Sequence, residues 1–87
     1  MDIIFLGYNN VEFTSDNGNR ISGVKFQYYF RSNKPTYVGY ESAGIFVSSS
    51  RDDLIRQIRQ AEPLKPYVLN MGYDGKRAVF NGLSPVK

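Results

Sequence analysis

Apolar side chains alternate from Val24 to Arg31 with polar, cationic and aromatic ones, which are Lys25, Gln27, Tyr29 and Arg31. Residues two apart in an extended strand lie on the same face, so Lys25, Tyr29 and Arg31 would share one. Cationic side chains release counterions from phosphates, and aromatic rings stack on bases at about 1 to 3 kcal/mol each. The spacing predicts a surface for single-stranded nucleic acid. A solvated strand face, with the tyrosine covering a neighbour, is an equally good interpretation.

A second group of such residues lies near the carboxyl end of the chain. Tyr73 precedes an Asp-Gly turn, and Lys76 and Arg77 follow it. A ring on an exposed turn would stack on a base, contact a second subunit or fold back on its own sheet. Tyr37 and Tyr40 are weaker candidates for nucleic-acid binding, because the strand pattern around them is interrupted.

The sequence offers little for catalysis. It contains no cysteine and no histidine, which excludes disulfides, thiolate chemistry, the common zinc sites and histidine-dependent triads. Its eight carboxylates fall mostly in turns, at a helix start or singly on strands, and no pair has the spacing of a general acid and base. No glycine-rich phosphate motif or metal-ligand cluster is present. We expect a binding protein that is not an enzyme, with no cofactor and no metal.

The elements that must position these residues form a small, mainly β domain. A chain of 87 residues has room for one domain, spanning 1–87. An amphipathic helix is predicted from an N-cap at Ser50 to Glu62, and Pro63 ends it. The predicted strands cover 1–8 with 11–14, 20–31, 36–41 with 44–48, 65–71 and 77–86. This order predicts an OB-fold-like, five-stranded antiparallel barrel with one helix between strands 3 and 4.

The second strand has a clear apolar face. Alternation places Val24, Phe26, Tyr28 and Phe30 on it, opposite the cationic and aromatic face. Gly23 in the same strand predicts a bulge or a sharp bend, a device that curls a small sheet into a barrel. The pattern therefore does not determine the pairing register of this strand before Gly23.

Scattered residues also link the chain to a known family. They are Phe13-Thr14 before the first hairpin loop, Gly18 within that loop, Arg20, Gly23 and Phe26 in the returning strand, Tyr73, and the closing segment 83–87. In these features and in length the chain resembles the gene V protein family of filamentous bacteriophages, helix-destabilising proteins that coat single-stranded DNA as dimers with an OB-type barrel. The resemblance implies base-stacking and phosphate-binding roles for Arg20, Phe26, Tyr28 and Tyr73, and it implies a homodimer.

Phe26 and Tyr28 thus receive two assignments. Alternation places them on the apolar face, whereas the resemblance places them against DNA. A bulge at Gly23 would exchange the faces, so both remain candidates at this point.

Charge and hydropathy complete the expectation. The net charge of +3 and the pI near 9.3 are consistent with a polyanionic partner. No run approaches the roughly 18 apolar residues of a membrane span, and the start lacks the basic segment of a secretory signal. We therefore expect a cytoplasmic protein of a bacterial or phage-infected host, with no membrane partner, that binds single-stranded DNA, or RNA, as a homodimer in replication. The alternatives are a protein-interaction barrel and a small, histidine-free, ribonuclease-like toxin.

Overall fold

The computed structural model describes residues 1–86, and these form five antiparallel strands and one helix. The elements are β1 (Asp2–Thr14), β2 (Arg20–Arg31), β3 (Tyr40–Ser48), α1 (Asp52–Gln60), β4 (Pro66–Asp74) and β5 (Arg77–Pro85). The strands lie in one sheet in the order β3-β2-β1-β4-β5. The predicted fold class, a mainly β, OB-fold-like barrel with its helix between the third and fourth strands, is confirmed.

Alternating apolar side chains cover one face of the curled sheet and build the core. Phe26 is at its centre, with its ring centroid 5.1 Å from that of Phe80 and 6.1 Å from that of Phe5. Every strand and the helix contribute to the core. The buried apolar residues are Ile3, Phe5, Val24, Phe26, Tyr28, Val47, Leu54, Ile58, Ala61, Leu69, Phe80 and Leu83.

Phe26 and Tyr28 belong to this core, which corrects their assignment to the nucleic-acid surface. Phe26 is 0% exposed and Tyr28 is 7% exposed, so neither ring has a face free for a base. The same burial raises the pKa of the Tyr28 hydroxyl. The faces are not exchanged because β2 pairs with both neighbouring strands without a register shift at Gly23.

Gly23 serves close packing, and the bulge predicted there is wrong. The register shift between β1 and β2 lies between Phe5 and Gly7 instead. A Cβ atom on Gly23 would overlap the carbonyl oxygen of Val47 and lie 2.8 Å from the ring of Phe46. Only glycine therefore lets β3 and its phenylalanine lie this close to β2.

Gly23→Ala is expected to destabilise the fold by about 1 to 3 kcal/mol, because the backbone of β3 must move away from the new methyl group. Urea unfolding of the variant would measure the loss. Gly7→Ala is the matched control, since a Cβ there meets nothing within 4 Å. Equal unfolding midpoints for Gly23→Ala and wild type would contradict this account of the packing.

Helix α1 packs on the core through one apolar stripe. Leu54 and Ile58 are its buried residues, and two aspartates in the first turn favour the positive end of the helix dipole. The predicted Ser50 N-cap is wrong, because the helix begins after Arg51 and no side chain caps it. The Ser50 hydroxyl lies 3.1 Å from the Ser48 hydroxyl instead. Within residues 1–86, no helix is long and apolar enough to cross a membrane.

The two edge strands complete the architecture. β3 pairs with β2 without interruption from Tyr40 to Ser48, so the break predicted near residues 42–44 is absent. The predicted Asp-Gly hairpin joins β4 to β5, with Asp74 paired to Arg77 and Gly75 at a φ of 66°. β3 and β5 are the outermost strands of the sheet, and each pairs with one neighbour only.

Candidate nucleic-acid interface

The side of β2 and β3 away from the core collects aromatic and cationic side chains. Antiparallel pairing places Arg31 opposite Tyr40 and Lys25 opposite Phe46, and directly paired residues lie on the same side of a sheet. Tyr29 lies two residues before Arg31 and shares this side. We call this surface the outer face. Its members are Lys25, Tyr29 and Arg31 on β2, and Tyr40 and Phe46 on β3.

Two tyrosines of the outer face form an edge-to-face pair. The ring centroids of Tyr29 and Tyr40 are 5.5 Å apart with an interplanar angle of 89°. Tyr29 is half-buried, while Tyr40 is 56% exposed. Each ring restricts the other, so less side-chain freedom is lost when a base stacks on the pair. The sequence-predicted candidates Tyr29 and Tyr40 are therefore brought together.

Two phenylalanines extend the aromatic surface, and sequence reasoning missed both as site residues. Phe46 packs over Gly23, and its ring centroid lies 5.9 Å from that of Phe13 on β1. Phe13 is 46% exposed and Phe46 is 38% exposed. The missed signal is the alternation from Tyr40 to Phe46 in steps of two, which the assumed break in β3 concealed. Three exposed or half-exposed rings thus lie along β2 and β3, with a fourth beside them.

The cations of the outer face have no acidic partner among the residues described. Salt bridges within 1–86 join Arg20 to Glu12, Lys34 to Glu41 and Arg51 to Asp53. Lys25 and Arg31 are exposed and take part in none of them. They are six residues apart, about 20 Å along the strand. This span suits the lower end of the roughly 4 to 16 nucleotides that an OB fold binds.

Arg20 is not part of this surface. Phe13 pairs with Ile21 on the outer face, so Arg20, the neighbour of Ile21, lies on the opposite side of the β1–β2 hairpin. There its guanidinium forms a salt bridge with the carboxylate of Glu12. Both side chains are exposed. Arg20 is therefore directed away from the outer face, and Glu12 partly neutralises its charge.

Tyr37 lies beside the outer face, in the loop of residues 32–39. Its hydroxyl donates a hydrogen bond to the backbone oxygen of Tyr40 at 3.0 Å.

In the same region, Glu41 accepts hydrogen bonds from Lys34 at 2.7 Å and from the Ser32 hydroxyl at 3.0 Å. These two bonds, the lysine's first, hold the pKa of Glu41 below its usual value. The hydrogen bond to Glu41 and then its charge raise the pKa of Lys34.

The Lys34–Glu41 contact is expected to hold this loop over a defined pH range. The pKa of Glu41 is lowered in the folded protein. Its contribution to the stability of the loop is therefore complete above its pKa in the unfolded chain, about 4.3, and is lost as the pH falls through its folded pKa. The pKa of Lys34 is raised in the folded protein. Its contribution to the stability of the loop is therefore complete below its pKa in the unfolded chain, about 10.4, and is lost as the pH rises through its folded pKa. A pH titration of the loop's amide chemical shifts should show the acid transition, and Glu41→Gln should abolish it. An unchanged transition in the variant would contradict the assignment.

The β4–β5 hairpin is separated from β3 by an open cleft between β3 and β5. This cavity of about 410 Å³ is lined by 44–48 of β3 and by 77–80 of β5, among other residues. Arg77 therefore lines the same cleft as Phe46. Tyr73 and Lys76 are exposed at the hairpin tip but do not line the cleft, and Tyr73 is 79% exposed.

The fold and the outer face define a class of binding surface. The β2–β3 face of a five-stranded OB-type barrel is a common site for oligonucleotides and oligosaccharides. No protein-family model, no curated protein and no solved structure matches the chain. The chemistry of the outer face must therefore support any assignment of function, since a fold alone does not determine one.

Proposed function

We propose that this chain binds single-stranded DNA with little sequence preference and protects the strand. One observation supports the proposal above all others. Tyr29, Tyr40 and Phe46 share one sheet face with Lys25 and Arg31, two cations without an acidic partner among residues 1–86. Rings and cations on one face match the bases and phosphates of a flexible single strand.

The mechanism follows from what a single strand exposes. Its phosphates bind Lys25 and Arg31 and release counterions, while its unpaired bases stack on Tyr29, Tyr40 and Phe46. A duplex keeps its bases stacked inside, so it offers phosphates but few ring faces. Binding the single strand and not the duplex shifts the melting equilibrium by mass action. The proposed protein is thus helix-destabilising without catalysing a reaction.

A titration with single-stranded and duplex oligonucleotides tests this proposal. At about 50 mM salt, oligo(dT) should quench the tyrosine fluorescence of the protein, and duplex DNA of equal length should bind much more weakly. The logarithm of the affinity should fall linearly with the logarithm of the salt concentration. Absence of quenching by oligo(dT) at this salt, or equal affinity for the duplex, would refute the proposal.

The proposal includes a homodimer in the cytoplasm of a bacterial or phage-infected host, related to the gene V protein family that the chain resembles. Tyr73 supports the dimer, because a ring that is 79% exposed at a hairpin end has a large surface to bury against a second copy. In sedimentation, wild type should have twice the 9.9 kDa chain mass and Tyr73→Ala should shift toward the monomer. Lys76→Ala is the matched control in the same hairpin and should stay dimeric. A monomeric wild type would contradict the dimer.

A further inference from the structure

The cleft between β3 and β5 lies beside the outer face and shares Phe46 with it. Its walls are two strand edges, each hydrogen-bonded to a neighbouring strand on one side only. The consecutive residues 44–48 and 77–80 line it, so backbone N–H and C=O groups are exposed along both walls. The cavity volume of about 410 Å³ lies within the roughly 300 to 1,000 Å³ of small-ligand sites.

Apolar side chains form part of the lining of the cleft. Val47, Leu54 and Phe80 line it and are largely buried, and Ile45 and Met71 are also among its lining residues. A lining that combines apolar side chains with free backbone donors and acceptors suits a planar ring with polar edges. A nucleobase has this character, because its faces are apolar and its edges form hydrogen bonds.

The charged residues of the cleft are both cationic. Arg51 and Arg77 line it, and no aspartate or glutamate is among its lining residues within 1–86. The ion-pair partner of Arg51 is Asp53, at 4.0 Å, and both side chains are largely exposed. Two arginines favour an anionic ligand and disfavour a second copy of this chain, whose net charge is +3.

Phe46 connects the cleft to the outer face, since it belongs to the outer face and is also among the residues that line the cleft. A strand that follows the outer face past Phe46 therefore arrives at the mouth of the cleft. Resting on the proposed function, we infer that the cleft binds one nucleotide of the bound strand. The base packs on the apolar side chains of the lining, and its phosphate binds Arg51 and Arg77. This site adds a base preference that the stacking rings alone do not provide.

Methyl NMR spectra of the full chain test the inference, with thymidine 5′-monophosphate as the probe. The nucleotide should shift the methyl signals of Ile45, Val47 and Met71, whereas deoxyribose 5-phosphate, which has no base, should not. Arg51→Ala and Arg77→Ala should each weaken nucleotide binding by about tenfold or more, because each loses a hydrogen bond between charged groups.

Arg56→Ala is the matched control for these variants. Arg56 is an exposed arginine of helix α1 and is not part of the cleft lining, so its loss should change nucleotide binding by less than about twofold. A similar loss in all three variants would overturn the inference, because it would indicate attraction by overall charge.

Two further outcomes would overturn the inference. In the first, deoxyribose 5-phosphate shifts the methyl signals as much as thymidine 5′-monophosphate does. In the second, thymidine 5′-monophosphate does not shift them, whether or not an extended acidic peptide does. Oligo(dT) then distinguishes the two proposals. If it still shifts the amides of Tyr29 and Tyr40, only the nucleotide site in the cleft fails. If it does not bind, the proposed function fails as well.

Discussion

Phe26→Ala is expected to lower the free energy of unfolding by about 3 to 5 kcal/mol. Phe26 is fully buried, and its ring lies within 6.1 Å of three other core rings, those of Phe5, Tyr28 and Phe80. Removing it leaves a cavity between β1, β2 and β5 that rigid neighbouring strands cannot fill. For 87 residues the total stability is about 4 to 13 kcal/mol, so the variant should be largely unfolded or close to it. Urea unfolding followed by circular dichroism gives the measurement.

Phe46→Ala is the control, since it removes the same ring from the outer face. Its ring is 38% exposed, so the loss of stability should be clearly smaller than for Phe26→Ala. If Phe26→Ala does not fold, a second variant still tests whether Phe26 contacts DNA. Phe26→Leu preserves an apolar core and should bind oligo(dT) within about twofold of wild type, because Phe26 does not touch the strand. A folded Phe26→Leu protein that loses oligo(dT) binding would show that Phe26 stacks on DNA after all.

Tyr29→Ala is expected to weaken oligo(dT) binding by about 5- to 150-fold, which corresponds to the roughly 1 to 3 kcal/mol of one base–ring stack. The substitution also releases the ring of Tyr40, which packs edge-to-face against Tyr29 at 5.5 Å. Tyr40→Ala should have a comparable effect, and the double variant should lose less than the sum, because the two rings are in contact. Fluorescence anisotropy of labelled oligo(dT) measures each affinity.

Tyr8→Ala is the matched control for these two variants. Tyr8 is 41% exposed, but it pairs with Phe26 on the other face of the sheet, where the Arg59 guanidinium lies 5.8 Å from its ring centroid. Its removal should leave oligo(dT) affinity within about twofold of wild type. If Tyr8→Ala and Tyr29→Ala weakened binding equally, the effect would not come from the outer face.

The sequence predicted the fold well because its local signals agreed with one another. In β2, apolar residues recur at every second position from Val24, and the structure buries Val24, Phe26 and Tyr28 as that period requires. The Asp-Gly turn joins two strands as its chemistry predicts. The same alternation correctly placed Lys25, Tyr29 and Arg31 away from the core.

The errors arose where tertiary packing determines the outcome. Gly23 carries no information on whether a strand bulges or a neighbour approaches closely, and here the ring of Phe46 occupies the space above it. Ser50 has the residue type of an N-cap, but its hydroxyl lies against that of Ser48 instead. The outward placement of Phe46 depends on the unbroken pairing of β3 with β2. The sequence of residues 42–44 suggested a break in β3, so this pairing was not predicted.

Mapping amide chemical-shift changes during a titration with oligo(dT) tests the central claim most directly. The account predicts that the largest changes occur on β2 and β3, at Lys25, Tyr29, Arg31, Tyr40 and Phe46, and that they diminish as salt is added. Changes confined to helix α1 or to the far side of the β1–β2 hairpin, or a spectrum that oligo(dT) leaves unaltered, would contradict it.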